Sequence, residues 1–198
     1  MKQILIINGG NSFNTYEEYR SYLDEKTLSY EKLLYHEGWK GWLAHQMPDT
    51  EILVPQMPNP LNAVYDEWSI YFEKILQFIG DDCQIVGHSL GANFLARYLN
   101  YNPLPIRAKQ LILLAGGYDD ESNESLGSFK VTSAKNLPQS ADEIHLFHSE
   151  DDPVVPYIEL AKYQADLPTA ITHAFTDRGH FYNITPTFPE MLELLQQK

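Results

Sequence analysis

The chain has 198 residues, of which 43% are hydrophobic, and this length and composition favour one packed domain over a disordered chain. Fourteen basic residues against 27 acidic residues give a net charge of −13, which argues against non-specific binding to nucleic acid or to an anionic membrane. Cys83 is the only cysteine, so an intrachain disulfide is excluded, and we expect a buried, inert thiol.

The apolar run at residues 3–7 predicts a first strand that ends at the turn Gly9-Gly10. This run is too short for the core of a signal peptide or for a membrane span. We therefore expect a cytoplasmic protein without a membrane partner.

Strand-like and helical patterns alternate along the rest of the chain. The strand-like runs are nearly continuous in apolar residues, as in parallel strands that are covered on both faces. They lie at residues 3–7, 51–54, 84–86, 110–114, 144–147 and 171–174, and the helical patterns lie at residues 64–79, 92–100, 157–165 and 186–196. This alternation predicts a single α/β domain over residues 1–198, with helices on both faces of a parallel sheet.

Two stretches do not fit this alternation. Residues 15–38 are polar but rich in tyrosine, and we expect them to be partly helical. Residues 116–142 contain a strongly polar run at 119–125, which predicts a surface loop.

The motif Gly87-His88-Ser89-Leu90-Gly91 lies between the third predicted strand and the helix that follows it. Strand, G-x-S-x-G and helix is the layout of a nucleophile elbow, in which a strained turn projects the serine from the end of the strand. On this interpretation Ser89 is a nucleophile and the N–H of Leu90 is one donor to an oxyanion. The alternative is an ordinary serine in a glycine-rich turn.

Candidates for a base and an acid follow later strands. Ser89 needs a base to take its proton, and His180 follows the sixth predicted strand. Asp152 follows the fifth strand and can hold the second ring nitrogen, with Asp151 and Asp177 as alternative acids. The order Ser, Asp, His is that of the α/β-hydrolases. A loop histidine with local hydrogen bonds is the alternative interpretation for His180.

The sequence contains no recognisable metal or cofactor motif. His145 and His148 are three apart on a predicted strand, so they point to opposite faces and form a poor metal pair. H-E-x-x-H, C-x-x-C, phosphate-loop and dinucleotide motifs are all missing from the sequence, and a serine nucleophile needs none of them. We expect neither a metal nor a cofactor.

Further short motifs extend over nearly the whole chain: Ile6-Ile7-Asn8-Gly9, Trp39-Lys40-Gly41-Trp42-Leu43, Met57-Pro58-Asn59-Pro60, Glu67-Trp68, Gly127-Ser128-Phe129, Asp151-Asp152-Pro153 and Gly179-His180-Phe181. Together with the elbow motif they resemble the small YdeN-like serine hydrolases of bacteria and their animal relatives of the retinoblastoma-binding-protein type. Asn8 stands where many members have His or Pro.

The resemblance implies a three-layer α/β/α sandwich of the α/β-hydrolase fold, with a mostly parallel six-stranded sheet in the order 2-1-3-4-5-6 and no large cap domain. It also places the nucleophile, acid and base on Ser89, Asp152 and His180. The second oxyanion donor is implied to be the backbone N–H of Gly10, although a simple tight turn is the alternative for this glycine.

The expected activity follows from these assignments. We expect a serine hydrolase that cleaves carboxylic esters or related small acyl substrates through an acyl-enzyme. A thioesterase or amidase with the same triad, or a non-catalytic interaction module on the same fold, are the alternatives. Against shorter members, residues 15–38 resemble an insertion beside the oxyanion loop. We expect a partly helical cover at the mouth of the site, or else a segment packed along the outer edge of the sheet.

Overall fold

The computed structural model describes residues 2–119, 125–182 and 186–197. Most of the polar run predicted as a surface loop, residues 120–124, lies outside the described residues. The part of that connection after residue 124 contains two short 3₁₀ helices, Gly127–Phe129 and Leu137–Gln139.

Six strands form one sheet in the order β2-β1-β3-β4-β5-β6, and every neighbouring pair in the described residues is parallel. The strands are β1 (Lys2–Ile7), β2 (Thr50–Leu53), β3 (Gln84–His88), β4 (Ala108–Leu114), β5 (Ala141–Ser149) and β6 (Ile171–Phe175). The predicted fold class and strand order are confirmed. Because β3 lies between β1 and β4, the loop after β1 and the turn after β3 meet at the carboxyl edge of the sheet.

Seven α-helices are found in the described part of the chain. They are α1 (Tyr16–Glu25), α2 (Tyr30–Leu33), α3 (Gly38–Gln46), α4 (Tyr65–Leu76), α5 (Leu90–Tyr101), α6 (Ile158–Asp166) and α7 (Pro189–Gln196). The four helices predicted from the sequence are present, with ends that differ by a few residues. Helix α3 was not among the predicted helices; it is held by burial of Trp39 and Leu43 and not by a strong helical pattern.

Alternate residues of the central strands pack into two separate cores, one on each face of the sheet. Leu5 and Ile85 contact the core formed with α4, α5 and α6, whereas Ile6 and Val86 contact the core formed with α3 and α7. Helices on both faces of one sheet give the expected three layers. Cys83, which precedes β3, is buried, and this burial raises the pKa of its thiol to about 11.

Helix α1 lies outside both cores. Its first turn is capped because the Thr15 hydroxyl accepts the N–H of Glu18 at 3.1 Å, but no residue of the helix is buried. Phe13 connects it to the loop after β1, since its ring centroid lies 5.6 Å from that of Tyr19 and 5.1 Å from that of Tyr22. None of the helices in the described ranges combines the length and the apolar character needed to span a membrane.

Candidate active site

Ser89 occupies the turn between β3 and α5 in a backbone conformation that few non-glycine residues adopt. Its φ is 57° and its ψ is −127°. The strained turn is held in the sheet because the Ser89 N–H donates to the Leu114 carbonyl at 2.9 Å. Strand, strained serine and helix form the elbow geometry predicted from the motif, with the hydroxyl half-buried at the carboxyl edge of the sheet.

Gly87 and Gly91 flank the elbow at positions where other parts of the backbone come too close for a side chain. A Cβ on Gly87 would lie 2.7 Å from Cα of Ala92, inside the first turn of α5. A Cβ on Gly91 would lie 2.2 Å from the carbonyl oxygen of Ile7, at the end of β1. No side chain fits at either position without displacing backbone, so the helix can start directly beneath the serine only with glycine there.

The three side chains predicted as nucleophile, base and acid form one continuous hydrogen-bonded chain. The Oγ atom of Ser89 lies 2.8 Å from Nε2 of His180, and Nδ1 of the same ring lies 2.8 Å from Oδ2 of Asp152. The other carboxylate oxygen, Oδ1, accepts the N–H groups of Val154 at 2.8 Å and Val155 at 3.0 Å. The acid is therefore fixed by its own loop, with its side chain fully buried.

The alternative acids lie elsewhere. Asp151 accepts the Ser149 hydroxyl at 2.5 Å and the Gly179 N–H at 2.8 Å, and these bonds lower the pKa of its carboxyl. Asp177 is exposed and lies 3.6 Å from Nε of Arg178. Within the described residues, neither carboxylate contacts the imidazole of the site. Asp151 instead holds the turn that carries the histidine.

His88, the residue before Ser89, holds the backbone of His180. Its Nε2 lies 2.9 Å from the backbone carbonyl of His180, and its ring is buried. Burial, together with the nearby Lys40 ammonium, holds the pKa of His88 well below the ordinary 6.5. The ring is therefore neutral and donates its Nε2–H to that carbonyl.

His148 supports the acid in a similar way. Its Nε2 lies 3.0 Å from the Val155 carbonyl and 3.8 Å from Oδ2 of Asp152. Burial lowers the pKa of His148, which favours a neutral ring that donates to the carbonyl. The sequence did not predict a role for His88 or His148 in the site. Both contact backbone carbonyls in the loops after β5 and β6, and such contacts are visible only in the folded structure.

The loop after β1 lies directly against the nucleophile. A Cβ on Gly9 would lie 2.6 Å from Cβ of Ser89, and one on Gly10 would lie 2.3 Å from the carbonyl oxygen of Pro60. The same carbonyl accepts the N–H of Asn11 at 2.8 Å, which ties this loop to the segment after β2. Gly10 and Ser89 both border the same cavity.

Leu90, the other predicted oxyanion donor, is the first residue of α5. N–H groups in the first turn of a helix have no intrahelical acceptor, so this one is available to a ligand at the elbow. Leu90 itself is buried, with its side chain in the core beneath the sheet.

A cavity of about 700 Å³ opens in front of Ser89. Its walls come from the loop after β1, from α1 and α3, from the segment after β2 and from the loops that carry the acid and the base. The lining residues are Asn8, Gly9, Gly10, Asn11, Tyr22, Lys26, Glu37, Lys40, Val54, Pro55, Gln56, Met57, Pro60, His88, Ser89, Val154, His180 and Tyr182. No group of acidic, histidine or cysteine side chains in the described ranges could hold a metal ion.

The strand order and the elbow between β3 and α5 define the class of the protein, which has the α/β-hydrolase fold. Residues 35–196 match the family model described as serine hydrolase, and the chain belongs to this family, which confirms the predicted resemblance. The chain is similar to the serine hydrolase RBBP9 of Rattus norvegicus, with 29% identity over 80% of this chain and 85% of that protein.

Two further comparisons concern one bacterial relative. The chain is 24% identical to the putative hydrolase YdeN of Bacillus subtilis (strain 168), over 72% of this chain and 77% of that protein. The crystal structure of the ydeN gene product from B. subtilis superposes with a TM-score of 0.77 at 20% identity and covers 98% of this chain and 97% of that one. This structural similarity extends over almost the full length of the sheet and its helices.

Proposed function

We propose that the protein hydrolyses carboxylic esters of small acids through an acyl-enzyme on Ser89. The observation that carries the proposal is the pair of 2.8 Å hydrogen bonds that connects Ser89, His180 and Asp152 beside an open cavity. A serine hydroxyl is a weak nucleophile alone, and a neighbouring base oriented by a carboxylate is the usual means of activating it.

In the first half-reaction, Oγ of Ser89 attacks the ester carbonyl carbon while Nε2 of His180 takes the hydroxyl proton. The tetrahedral intermediate then collapses, the bond to the alcohol oxygen breaks, and the imidazolium returns its proton to that oxygen. Asp152 keeps Nδ1 protonated and stabilises the imidazolium during both steps. In the second half, water attacks the acyl-enzyme with the same base, which releases the acid and restores the serine.

The N–H groups of Gly10 and Leu90 are proposed as the donors that stabilise the oxyanion. Both belong to the carboxyl edge of the sheet, one in the loop pressed against the nucleophile and one at the start of α5. The loss of one such donor typically costs about 2.7–4 kcal/mol of transition-state stabilisation. These are backbone groups, which is why Asn8 can stand in a position where many members have another side chain.

Esters are proposed over amides because the alcohol is the better leaving group, and thioesters, whose thiolate leaves at least as readily, are tested beside them. An alkoxide or aryloxide leaves more readily than an amide nitrogen, and the single base His180 supplies the one proton that it needs. Thioester and anilide analogues of the same acid are therefore included in the test panel, and their rates of hydrolysis are compared with that of the ester.

The test is labelling by a fluorophosphonate probe together with turnover of short-chain aryl esters. We expect wild-type protein to be labelled and active, and Ser89→Ala to be unlabelled and inactive with a nearly unchanged thermal midpoint. Ser21→Ala, an exposed serine of α1, is the matched control and should behave as wild type. Turnover by Ser89→Ala at close to the wild-type rate would remove Ser89 from the mechanism.

A further inference from the structure

Lys40 places an ammonium group in the cavity that contains Ser89. The side chain leaves the first turn of α3, is half-buried, and lies with its Nζ 5.0 Å from the ring centroid of Trp39. Lys40, His88 and Ser89 all line this cavity. Among the described residues, no carboxylate lies within ion-pair distance of Lys40.

Glu37 is the one carboxylate in the described lining of this cavity, and it turns away from Lys40. Its Oε1 lies 3.6 Å from Nδ1 of His45, two turns further along α3. The side chain extends forward along the helix over Gly41, where a Cβ would approach Cγ of Glu37 to 2.0 Å. The absence of a side chain at Gly41 thus directs the acid along the helix and leaves the lysine without a counter-charge from its own element.

The second lysine of the cavity already has a partner. Nζ of Lys26 donates to the hydroxyl of Tyr22 and lies 4.6 Å from the centroid of the same ring. Lys26 is also exposed, so water stabilises its charge. Lys40 is the more desolvated of the two, and burial lowers its pKa to about 8.

The cavity is therefore locally cationic in a chain whose net charge is −13. A partly desolvated ammonium is costly to the folded protein unless an anion compensates it. In an active-site cavity the group free to supply that anion is the substrate, and such a charge both attracts and orients anionic ligands.

We propose that Lys40 is a specificity-determining residue that binds a carboxylate of the substrate, so that the preferred esters are anionic. This inference rests on the proposed ester hydrolysis and names its substrate class. The carboxylate could belong to the acyl group, as in a monoester of a dicarboxylic acid, or to the alcohol portion. Both sources present the same chemistry to Lys40, and the experiment distinguishes them.

The experiment compares two matched pairs of esters. In the acyl pair, an aryl hexanoate is compared with the mono-aryl adipate, which has the same chain length and a terminal carboxylate. In the alcohol pair, meta-acetoxybenzamide is compared with meta-acetoxybenzoate. For each pair, the ratio of kcat/KM for the carboxylate ester to that for the neutral ester is measured in wild type, Lys40→Met, Lys40→Arg and Lys74→Met. Lys74 is an exposed lysine of α4 outside the cavity.

We expect wild type to favour the carboxylate member of one pair, and the pair concerned identifies the portion that carries the anion. Lys40→Met should lower that ratio about tenfold or more, the size expected for the loss of one charge-assisted contact. Lys40→Arg should retain most of the ratio, and Lys74→Met should leave it unchanged. The proposal is overturned if neither pair shows a preference, or if the preference survives in Lys40→Met.

A binding measurement separates this outcome from a failure of the proposed hydrolysis. In a Ser89→Ala background, calorimetry with monomethyl adipate and meta-acetoxybenzoate is compared with dimethyl adipate and meta-acetoxybenzamide. We expect one carboxylate ester to bind more tightly than its neutral partner, and about tenfold more weakly once Lys40→Met is added. Equal binding within both pairs contradicts the role of Lys40 even if esters are hydrolysed. A protein that is neither labelled nor active but binds the carboxylate through Lys40 contradicts only the proposed hydrolysis.

Discussion

Two adjacent aspartates occupy very different environments. In Asp152, Oδ2 faces the imidazole of His180 and Oδ1 accepts two N–H groups of its own loop. Asp151 points the other way and accepts the N–H of Gly179, the residue before the histidine. One of the pair holds the ring, and its neighbour holds the backbone turn that presents the ring.

These different environments predict that substitutions of the aspartates lower the rate of acylation by very different amounts. Asp152→Asn should lower the rate of acylation by about four orders of magnitude, because an amide holds the imidazole in the wrong tautomer. Asp151→Asn should cost much less, because it perturbs the turn without changing the proton at Nδ1, and Asp177→Asn should cost least because that side chain is exposed. The rates are measured as kcat/KM for an aryl ester and as the rate of fluorophosphonate labelling. A larger loss in Asp177→Asn than in Asp152→Asn would show that the acid is assigned wrongly.

The three side chains that the structure brings together could be predicted from the sequence because each follows a predicted strand. Ser89, Asp152 and His180 come after β3, β5 and β6, and the carboxyl ends of parallel strands meet at one edge. The environment of Lys40 could not be predicted in this way. The sequence shows that Lys40 lies between Trp39 and Trp42, but not that it lines the cavity beside Ser89. Its position there depends on how α3 packs against the loop after β6.

At the scale of elements, the site depends on how closely α5 approaches β1. The helix starts directly after the nucleophile, and its first turn passes the carboxyl end of the neighbouring strand. Gly91 makes this approach possible, because its Cα faces the backbone carbonyl of Ile7. A backbone carbonyl cannot rotate away as a flexible side chain can, so strand and helix would have to separate to admit a methyl group.

We therefore expect Gly91→Ala to destabilise the protein by about 1–3 kcal/mol, the usual cost of overpacking, and to lower the thermal midpoint by several degrees. Activity should fall as well, because the shift displaces Ser89. Gly80→Ala is the matched control, since a Cβ there meets only the Gln3 side chain at 3.6 Å, and its midpoint should stay near that of wild type. Equal thermal midpoints for the two variants would contradict this account of the elbow.

Helix α1 presents a different case, because it forms part of the cavity wall without belonging to either core. Tyr22 lines the cavity, whereas Tyr16 on the same helix is 64% exposed and lies outside the lining. Tyr22→Ala should therefore change the preference for ester chain length by widening the cavity, with little change in thermal midpoint. Tyr16→Ala should change neither property. An unchanged chain-length profile in Tyr22→Ala would favour α1 as an external extension of the fold without a role in substrate selection.

At the scale of the whole molecule, the sheet was predictable because its central strands are nearly continuous in apolar residues. Residues 3–7 and 110–114 show this pattern clearly, and both are central strands. Helix α3 was harder to predict, because Gly38 and Gly41 weaken its intrinsic propensity and tertiary burial of Trp39 and Leu43 compensates. That residues 15–38 act as a cover over the site is still a prediction, because it concerns their effect on which substrates are hydrolysed.

The molecule also keeps several histidines neutral by burial. Four of its seven histidines, His88, His145, His148 and His173, have a pKa below the ordinary 6.5, with burial as the first cause in each. Three of the four are buried, and all four lie on β3, β5 or β6. Their protonation is therefore coupled to the stability of the sheet, and not only to the chemistry of the site.

The consequence is a fall in stability at mildly acidic pH. As the pH drops through about 6.5, these histidines take up protons in the unfolded chain before they do so in the folded protein, so the free energy of unfolding decreases. Each histidine that stays neutral can contribute up to about 1.4 kcal/mol per pH unit in this range. The carboxyls with lowered pKa, Glu143, Asp151 and Asp166, act in the same direction but below their ordinary pKa values of 4.5 and 3.8, so the two ranges are separate.

The prediction is tested by urea unfolding between about pH 7.5 and pH 5. We expect the free energy of unfolding to decrease steadily below about pH 6.5 in wild type, and the decrease to be shallower in His173→Gln, which removes one titrating group at the sheet edge. His36→Gln, an exposed histidine between α2 and α3, is the matched control and should follow wild type. A free energy of unfolding that stays constant down to pH 5 would mean that the folded protein accepts these protons. Burial in the folded protein would then not keep His88 and His148, which contact the loops of His180 and Asp152, in the neutral form.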